Sequence, residues 1–334
     1  SAYVGRNVPA LRPIDGIIFN ADGSPRRFNF GTLVNNIWMT GGESQGPAVE
    51  NIFFDFPIIS PTERYSGMAY LTWEAAPALT LELGVNIGRS EGRHRSTAYR
   101  NTNLTIRSDN PFLPRSSDPT LDIPTLLAAG NLTSFSLGKG FDDIGPVQIA
   151  VRNEVFRVVG AAEYEISADW VADIYYQYGR NDFRSDFRNN TITARILRAL
   201  DATSVNGVPT CRVNADADPN NNDPACVPLN PFGYGQGSTF AAAKAYVTAD
   251  SFQTNITTQN VVAANVSGTL FELPAGPVGV AFGAEYRSDD VEGDTDALSR
   301  TGAFFNAGNG TLISGRIEVT EAYAEVEVPL LADT

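Results

Sequence analysis

The chain has one histidine, two methionines and two cysteines in 334 residues. A metal site built on Cys211 and Cys226 would need more Cys or His nearby than His94 supplies. No run of 18 apolar residues occurs, so no segment can cross a membrane as a helix. Cations are also scarce: 24 Lys and Arg stand against 38 Asp and Glu, for a net charge of −14. The basic patch that a nucleic-acid partner requires is missing. Ser1 and the residues that follow form no apolar signal core, so the opening reads as a mature terminus or an internal cut.

What is abundant points to β structure. Thirty glycines, 19 phenylalanines and 12 tyrosines accompany a polar, Asn- and Thr-rich background. The clearest signal is alternation with period two. Leu79, Leu81, Leu83, Val85 and Ile87 are interleaved with Thr80, Glu82, Gly84 and Asn86. Trp170, Ala172, Ile174, Tyr176 and Tyr178 oppose Asp173, Tyr175 and Gln177, and Val278, Val280, Phe282, Ala284 and Tyr286 oppose Glu285 and Arg287. The same split recurs over 64–74, 156–165, 262–270 and 321–328, where Val262, Ala264, Val266 and Leu270 form one face of the third of these. Seven long strands are therefore expected.

Connections between these segments alternate between very short (75–78, 166–169, 273–277) and very long (about 93–146, 188–252 and 291–312). Polar faces rich in Gly, Asn, Glu and Arg suit a water-filled lumen. Tyr65, Trp73, Trp170, Tyr178 and Tyr286 sit at strand ends, where interfacial girdles belong. These signals predict an all-β fold: part of a transmembrane, antiparallel, up-and-down β-barrel. Residues 62–334 would form its wall and 1–61 a rim or extracellular loop region, with a tight turn at Asp22-Gly23. Within the loops, 190–202 reads as a short helix on Ile192, Ile196, Leu197 and Leu200, and 238–249 as another capped by Ser238.

Candidate sites are few. Cys211 and Cys226 lie in one polar loop, and an exported protein would join them as a disulfide worth about 3 kcal/mol by loop closure. Asp216, Asp218 and Asn220 place oxygens at alternate positions, as calcium prefers, but the Gly and Glu of a complete calcium loop are missing. No other cofactor is implied. The loop aromatics Tyr99, Phe112, Phe183, Phe187, Tyr234 and Phe240 are candidates for substrate contact. The acidic run of Asp289, Asp290, Glu292, Asp294 and Asp296 reads as a solvated loop. Glu163 and Glu165, with Glu321, Glu325 and Glu327, could in principle do acid–base work, but a polar lumen accounts for them, and no catalytic constellation emerges. His94 between Arg93 and Arg95 offers a contact for lipopolysaccharide phosphate.

Asn110-Pro111-Phe112-Leu113-Pro114, Phe156 to Gly160 continuing through Trp170 to Arg180, and Cys226-Val227-Pro228-Leu229-Asn230-Pro231-Phe232-Gly233 are segments that resemble those of TonB-dependent outer-membrane receptors. The most specific is Leu270-Phe271-Glu272-Leu273-Pro274-Ala275-Gly276-Pro277 followed by Gly283-Ala284-Glu285-Tyr286-Arg287. Glu321-Ala322-Tyr323-Ala324-Glu325 completes the set, which covers about residues 60–334. The resemblance implies a barrel of about 22 strands closed by a plug, with energy-coupled uptake of a siderophore, oligosaccharide or similar scarce molecule. Seven strands, with no plug ahead and no terminal aromatic, are expected to be a central slice of such a receptor. Its partners would be the TonB complex through the missing plug, further strands or another chain at both sheet edges, and lipid with lipopolysaccharide. A passive porin and a soluble β-rich binding or adhesion module are the competing expectations.

Overall fold

The computed structural model describes residues 2–4, 13–29, 31–34, 38–40, 42–43 and 59–331. It is mostly strand, and its largest unit is a seven-stranded antiparallel sheet. The strands are β6 (Thr62–Ala76), β7 (Leu79–Arg95), β10 (Gln148–Ser167), β11 (Trp170–Thr191), β14 (Thr248–Leu273), β15 (Gly276–Thr295) and β16 (Ile313–Glu327). Each pairs with its sequence neighbour among the seven, in the order β16-β15-β14-β11-β10-β7-β6. All seven expected strands are present. Among the described residues the sheet is open: β6 pairs with β7 alone and β16 with β15 alone, so no closed barrel forms.

The strands are longer than alternation of apolar residues predicts. β14 runs for 26 residues and β11 for 22. Each extends past its apolar segment, and the connections run over 96–147, 192–247 and 296–312, within about five residues of the stretches expected to be loop. The cause is that alternation continues past the apolar segment with charge in place of hydrocarbon, as in Arg180, Asp182, Arg184 and Asp186. The acidic run at 289–296 is corrected in the same way. Asp289 to Asp294 belong to β15, and Asp296 caps the following helix by accepting from Leu298 and Ser299. A register shift between Thr269 and Phe271 also sets Phe271, rather than Leu270, opposite Val278.

The long connections fold into a cap. Its five-stranded sheet has the order β3-β2-β1-β9-β8, from β1 (Ala2–Val4), β2 (Ile17–Phe19), β3 (Pro25–Arg27), β8 (Arg100–Arg107) and β9 (Ser134–Gly140). The hairpin of β2 and β3 turns through 20–24, as Asp22-Gly23 predicts. Two further hairpins are β4 (Thr32–Val34) with β5 (Trp38–Thr40), and β12 (Ala202–Val205) with β13 (Val208–Cys211). Within the expected rim region 1–61, β1, β2 and β3 join the five-stranded sheet and β4 pairs with β5 as a separate hairpin; residues 1, 5–12, 30, 35–37, 41 and 44–58 lie outside the described residues.

Helices α1 (Ile123–Ala129), α2 (Thr193–Leu200), α3 (Phe240–Val247) and α4 (Ala297–Arg300) accompany it. α1 starts where Asp122 accepts from the Thr125 amide. α3 begins after Thr239, not Ser238, and no side chain caps it. One continuous core joins these pieces: Ile17 from β2, Leu137 from β9, Leu127 from α1, Ile196 from α2 and Val247 from α3, with Phe141 and Phe232, are all essentially inaccessible.

Leu137→Ala should lower the stability of the cap by about 2–5 kcal/mol, as for other fully buried leucines. Hydrogen exchange would register this as faster exchange across β8 and β9 with β10–β11 unchanged. Uniform acceleration over both units would show that cap and wall open together.

Candidate functional site

Because paired residues share a face, the register defines rows running across the seven-stranded sheet. One row is Leu71, Leu83, Gly160, Tyr176, Val262 and Tyr286. The next row toward the short turns is Trp73, Leu81, Ala162, Ile174, Ala264, Ala284 and Ala322. Beyond it come Leu79, Tyr164, Ala172, Val266, Phe282 and Ala324. This face is apolar yet exposed: Leu71 is 60% accessible, Ile174 and Tyr176 50%, and Val326 64%. A soluble protein rarely leaves so wide an apolar surface bare. Trp73, Tyr164 and Trp170 lie toward the short-turn margin of the band, and Tyr65, Phe156, Tyr178 and Tyr286 toward the other. On β11 the band runs from Trp170 to Tyr178, about 27 Å along the strand.

Beyond the band the same face becomes ionic. Arg89 pairs with Glu91 and, at 3.1 Å, with Glu154. Arg180 pairs with Asp182 at 2.9 Å, Arg184 with Asp186 at 2.6 Å and Arg316 with Asp290 at 3.1 Å. The opposite face is polar throughout its middle. Arg157 donates to Gln177 at 2.6 and 2.8 Å, Gln177 to Gln259 at 2.7 Å and Gln259 to Asp289 at 2.8 Å, a chain crossing four strands. Tyr175 reaches Glu285, and Asn265 donates to Asp173 at 2.8 Å. Glu163, Glu321 and Glu325 share this face with them. His94 does too, so it points away from the side that carries Arg93 and Arg95, although alternation makes all three neighbours in sequence.

The structure does not gather the six loop aromatics into one site. Tyr99 is 2% accessible, packed between Phe141 at 5.4 Å and Phe305 at 4.8 Å between centroids. Phe112 and Phe240 are half-buried against the same core. Tyr99 is thus enclosed by packing, while Phe112 and Phe240 keep part of their surface accessible. Phe183 and Phe187 are half-buried on the polar face of β11, while Tyr234 is exposed with its hydroxyl donating to the Asp142 carbonyl.

Two Asn-Pro-Phe segments have one structural role. The Asn110 side chain accepts from the Phe112 amide, and Asn230 does the same for Phe232. Each makes a local turn that presses its phenylalanine toward the core. Gly233, with φ of +79°, then lets the chain lie against Gly23; a Cβ there would come within 2.7 Å of the Gly23 nitrogen.

Cys211 and Cys226 form the expected disulfide. Beside it Arg212 holds Asp109 at 2.7 Å and Asp201 at 2.9 Å, tying β13 to the first long connection. The hydrogen bond from Arg212 holds Asp109 below the usual carboxylate range. Burial, then the 2.6 Å bond to Asp223, pushes the Tyr246 hydroxyl up to about 12. Lys139 is buried against Asp143 and donates to the Gly233 carbonyl at 2.7 Å; burial pushes its ammonium down. In the candidate calcium segment, Asp216 accepts from the Asp218 amide and Asp218 from the Asn220 amide, so these oxygens turn back on their own loop. Among the described residues no three His, Cys, Asp or Glu side chains come together as a metal site.

No family model matches the chain, and no curated protein is significantly similar to it.

The Asp109–Arg212 contact stabilises the cap above the ordinary carboxylate pKa of about 3.9 and is lost as pH falls through the depressed folded value. Asp109→Asn should therefore weaken the cap at neutral pH and flatten its acid dependence. Exchange of the β12–β13 amides measured from pH 7 to about 3 reads this out; an unchanged pH slope in the variant would assign the acid sensitivity elsewhere.

Proposed function

We propose that the chain is a wall segment of a TonB-dependent outer-membrane receptor, contributing to energy-coupled uptake of a scarce substrate such as a siderophore chelate or an oligosaccharide. The observation that carries this reading is the apolar band, level across all seven strands and margined by aromatics, with a hydrogen-bonded polar face behind it. Tilted by roughly 35–45°, as barrel strands are, the 27 Å band on β11 would stand about 20 Å tall, close to the apolar belt of outer-membrane barrels. The two-residue turns at one end and the folded cap at the other match the short and long rims of such barrels.

The exposed edges of β6 and β16 support the receptor reading over a self-contained domain. In hydrocarbon, each unpaired backbone group costs several kcal/mol. Further strands of the same receptor would satisfy both edges, and its plug would sit against the polar face and engage the TonB complex.

The test compares Phe282→Arg with Ala281→Arg, neighbours on opposite faces. A charge at Phe282 would face lipid and should cost about 2–4 kcal/mol of insertion, whereas Ala281 lies beside Glu325 on the polar face. Flotation with liposomes should recover the Ala281 variant with the vesicles and deplete the Phe282 variant. Equal recovery would remove the face assignment. Wild-type protein that stays in the supernatant without detergent would point to a soluble module, and a large steady conductance after reconstitution to a passive pore.

A further inference from the structure

The band is not uniform. At Gly160, the middle position of the apolar stretch of β10, nothing lies within 4 Å of where a Cβ would stand. The neighbouring Leu71, Trp73, Leu83, Ile174, Tyr176 and Val262 leave an open apolar groove of about 520 Å³ there. Higher on the same face, β7, β10 and β11 bear seven arginines and only four carboxylates, in a protein whose net charge is −14. Glu91, Glu154, Asp182 and Asp186 are engaged by Arg89, Arg180 and Arg184. That leaves Arg93, Arg95, Arg152 and Arg188 with no salt bridge among the described residues. At longer range Arg93 and Arg152 still feel Glu91. The register sets Arg93 beside Ala150, Arg152 between Glu91 and Arg184, and Arg95 and Arg188 on either side of Gln148. A depression of about 180 Å³ opens there, lined by Arg93, Ala150, Arg152 and Arg184 together with Glu91 and Asp186, whose carboxylates Arg89 and Arg184 already engage.

The spacing links groove and arginines. Gly160 and Arg152 are eight residues apart on one face of one strand, about 27 Å along it and roughly 20 Å in height at barrel tilt. Half of an outer-membrane apolar belt of ~25 Å plus one headgroup layer of ~6 Å comes to about the same height. With the groove at mid-membrane, the arginines stand at the level of lipid phosphates. Guanidinium and phosphate match as bidentate, charge-assisted partners.

We propose that this face of β7, β10 and β11 seats a phosphate-bearing membrane lipid, its acyl chain in the groove at Gly160 and its phosphate among Arg93, Arg152 and Arg188. The proposal rests on the membrane reading above. The protein reconstituted in phosphatidylcholine nanodiscs doped with phosphatidic acid, then extracted into detergent, should retain phosphatidic acid about tenfold over its share in the disc. Combined Arg93→Ala, Arg152→Ala and Arg188→Ala should abolish that preference. Gly160→Leu should lower retention of both lipids while keeping the headgroup preference. In the wild type the preference should fall steeply as salt rises, because exposed ionic contacts are screened. Millimolar inorganic phosphate should not displace the lipid.

Loss of enrichment in the wild type, enrichment that persists in the arginine variant, or a preference indifferent to salt would each overturn the lipid site. Displacement by inorganic phosphate would reduce it to a phosphate contact without the acyl chain and overturn it equally. A wild type that fails to enter the bilayer at all overturns the membrane reading as well, whereas one that inserts without enriching the lipid overturns the site alone.

Discussion

Side chains alternate across a strand, so a slip of one residue in any of the six wall pairings would carry every side chain of that strand to the opposite face. The unbroken register over most of each pairing is what keeps Leu83, Gly160, Tyr176 and Val262 in one row and Asn86, Arg157 and Gln259 in another. Apolar band, ionic extension and polar ladder all follow from it. Where the register does shift, the strand has reached the short-turn margin near Glu74, Glu165 and Thr269, and near Phe187 it has already left the band at the opposite end. The bulges therefore do not disturb the band.

Wall and cap solve burial differently. The cap encloses Leu137, Phe141 and Phe232 in a core like that of any water-soluble domain, closed further by a disulfide and by Arg212 between two carboxylates. The wall has no second layer among the described residues; its large side chains stay accessible on one face and bond to each other on the other. The two meet where Asn189 donates to the carbonyls of Ile144, Gly145 and Pro146, at the point where β11 leaves the sheet. There a single amide side chain fastens the first long connection to the wall.

Much of the wall was legible because its pattern is local. Val278, Val280 and Phe282 alternate with small or polar residues, and two-residue turns leave each hairpin little freedom. The upper halves of the strands carry no apolar period, because Arg180-x-Asp182-x-Arg184 alternates charge with mixed residues. The cap is hidden for another reason. Its sheet joins β1 and β2 to β9 across more than a hundred residues, and no local period reveals a partner that distant. The burial of Tyr99 is hidden in the same way: nothing in sequence marks the Phe141 and Phe305 that enclose it. The cysteines were legible because two such residues in one polar loop leave a single pairing.

The seven strands fall into three hairpins, β6–β7, β10–β11 and β14–β15, and a lone β16. Each hairpin can zip from its own two-residue turn on a microsecond scale, without reference to the rest of the chain. Joining hairpins means closing connections of about fifty residues twice and about seventeen once. Because closure entropy grows only with the logarithm of length, the longer ones cost merely ~1 kcal/mol more each. Assembly order is thus set less by loop length than by whether the cap has condensed. Once its core is packed, β7 and β10 emerge from it already side by side, with Ser96 bonded to Val147, and the long connections behave as short ones.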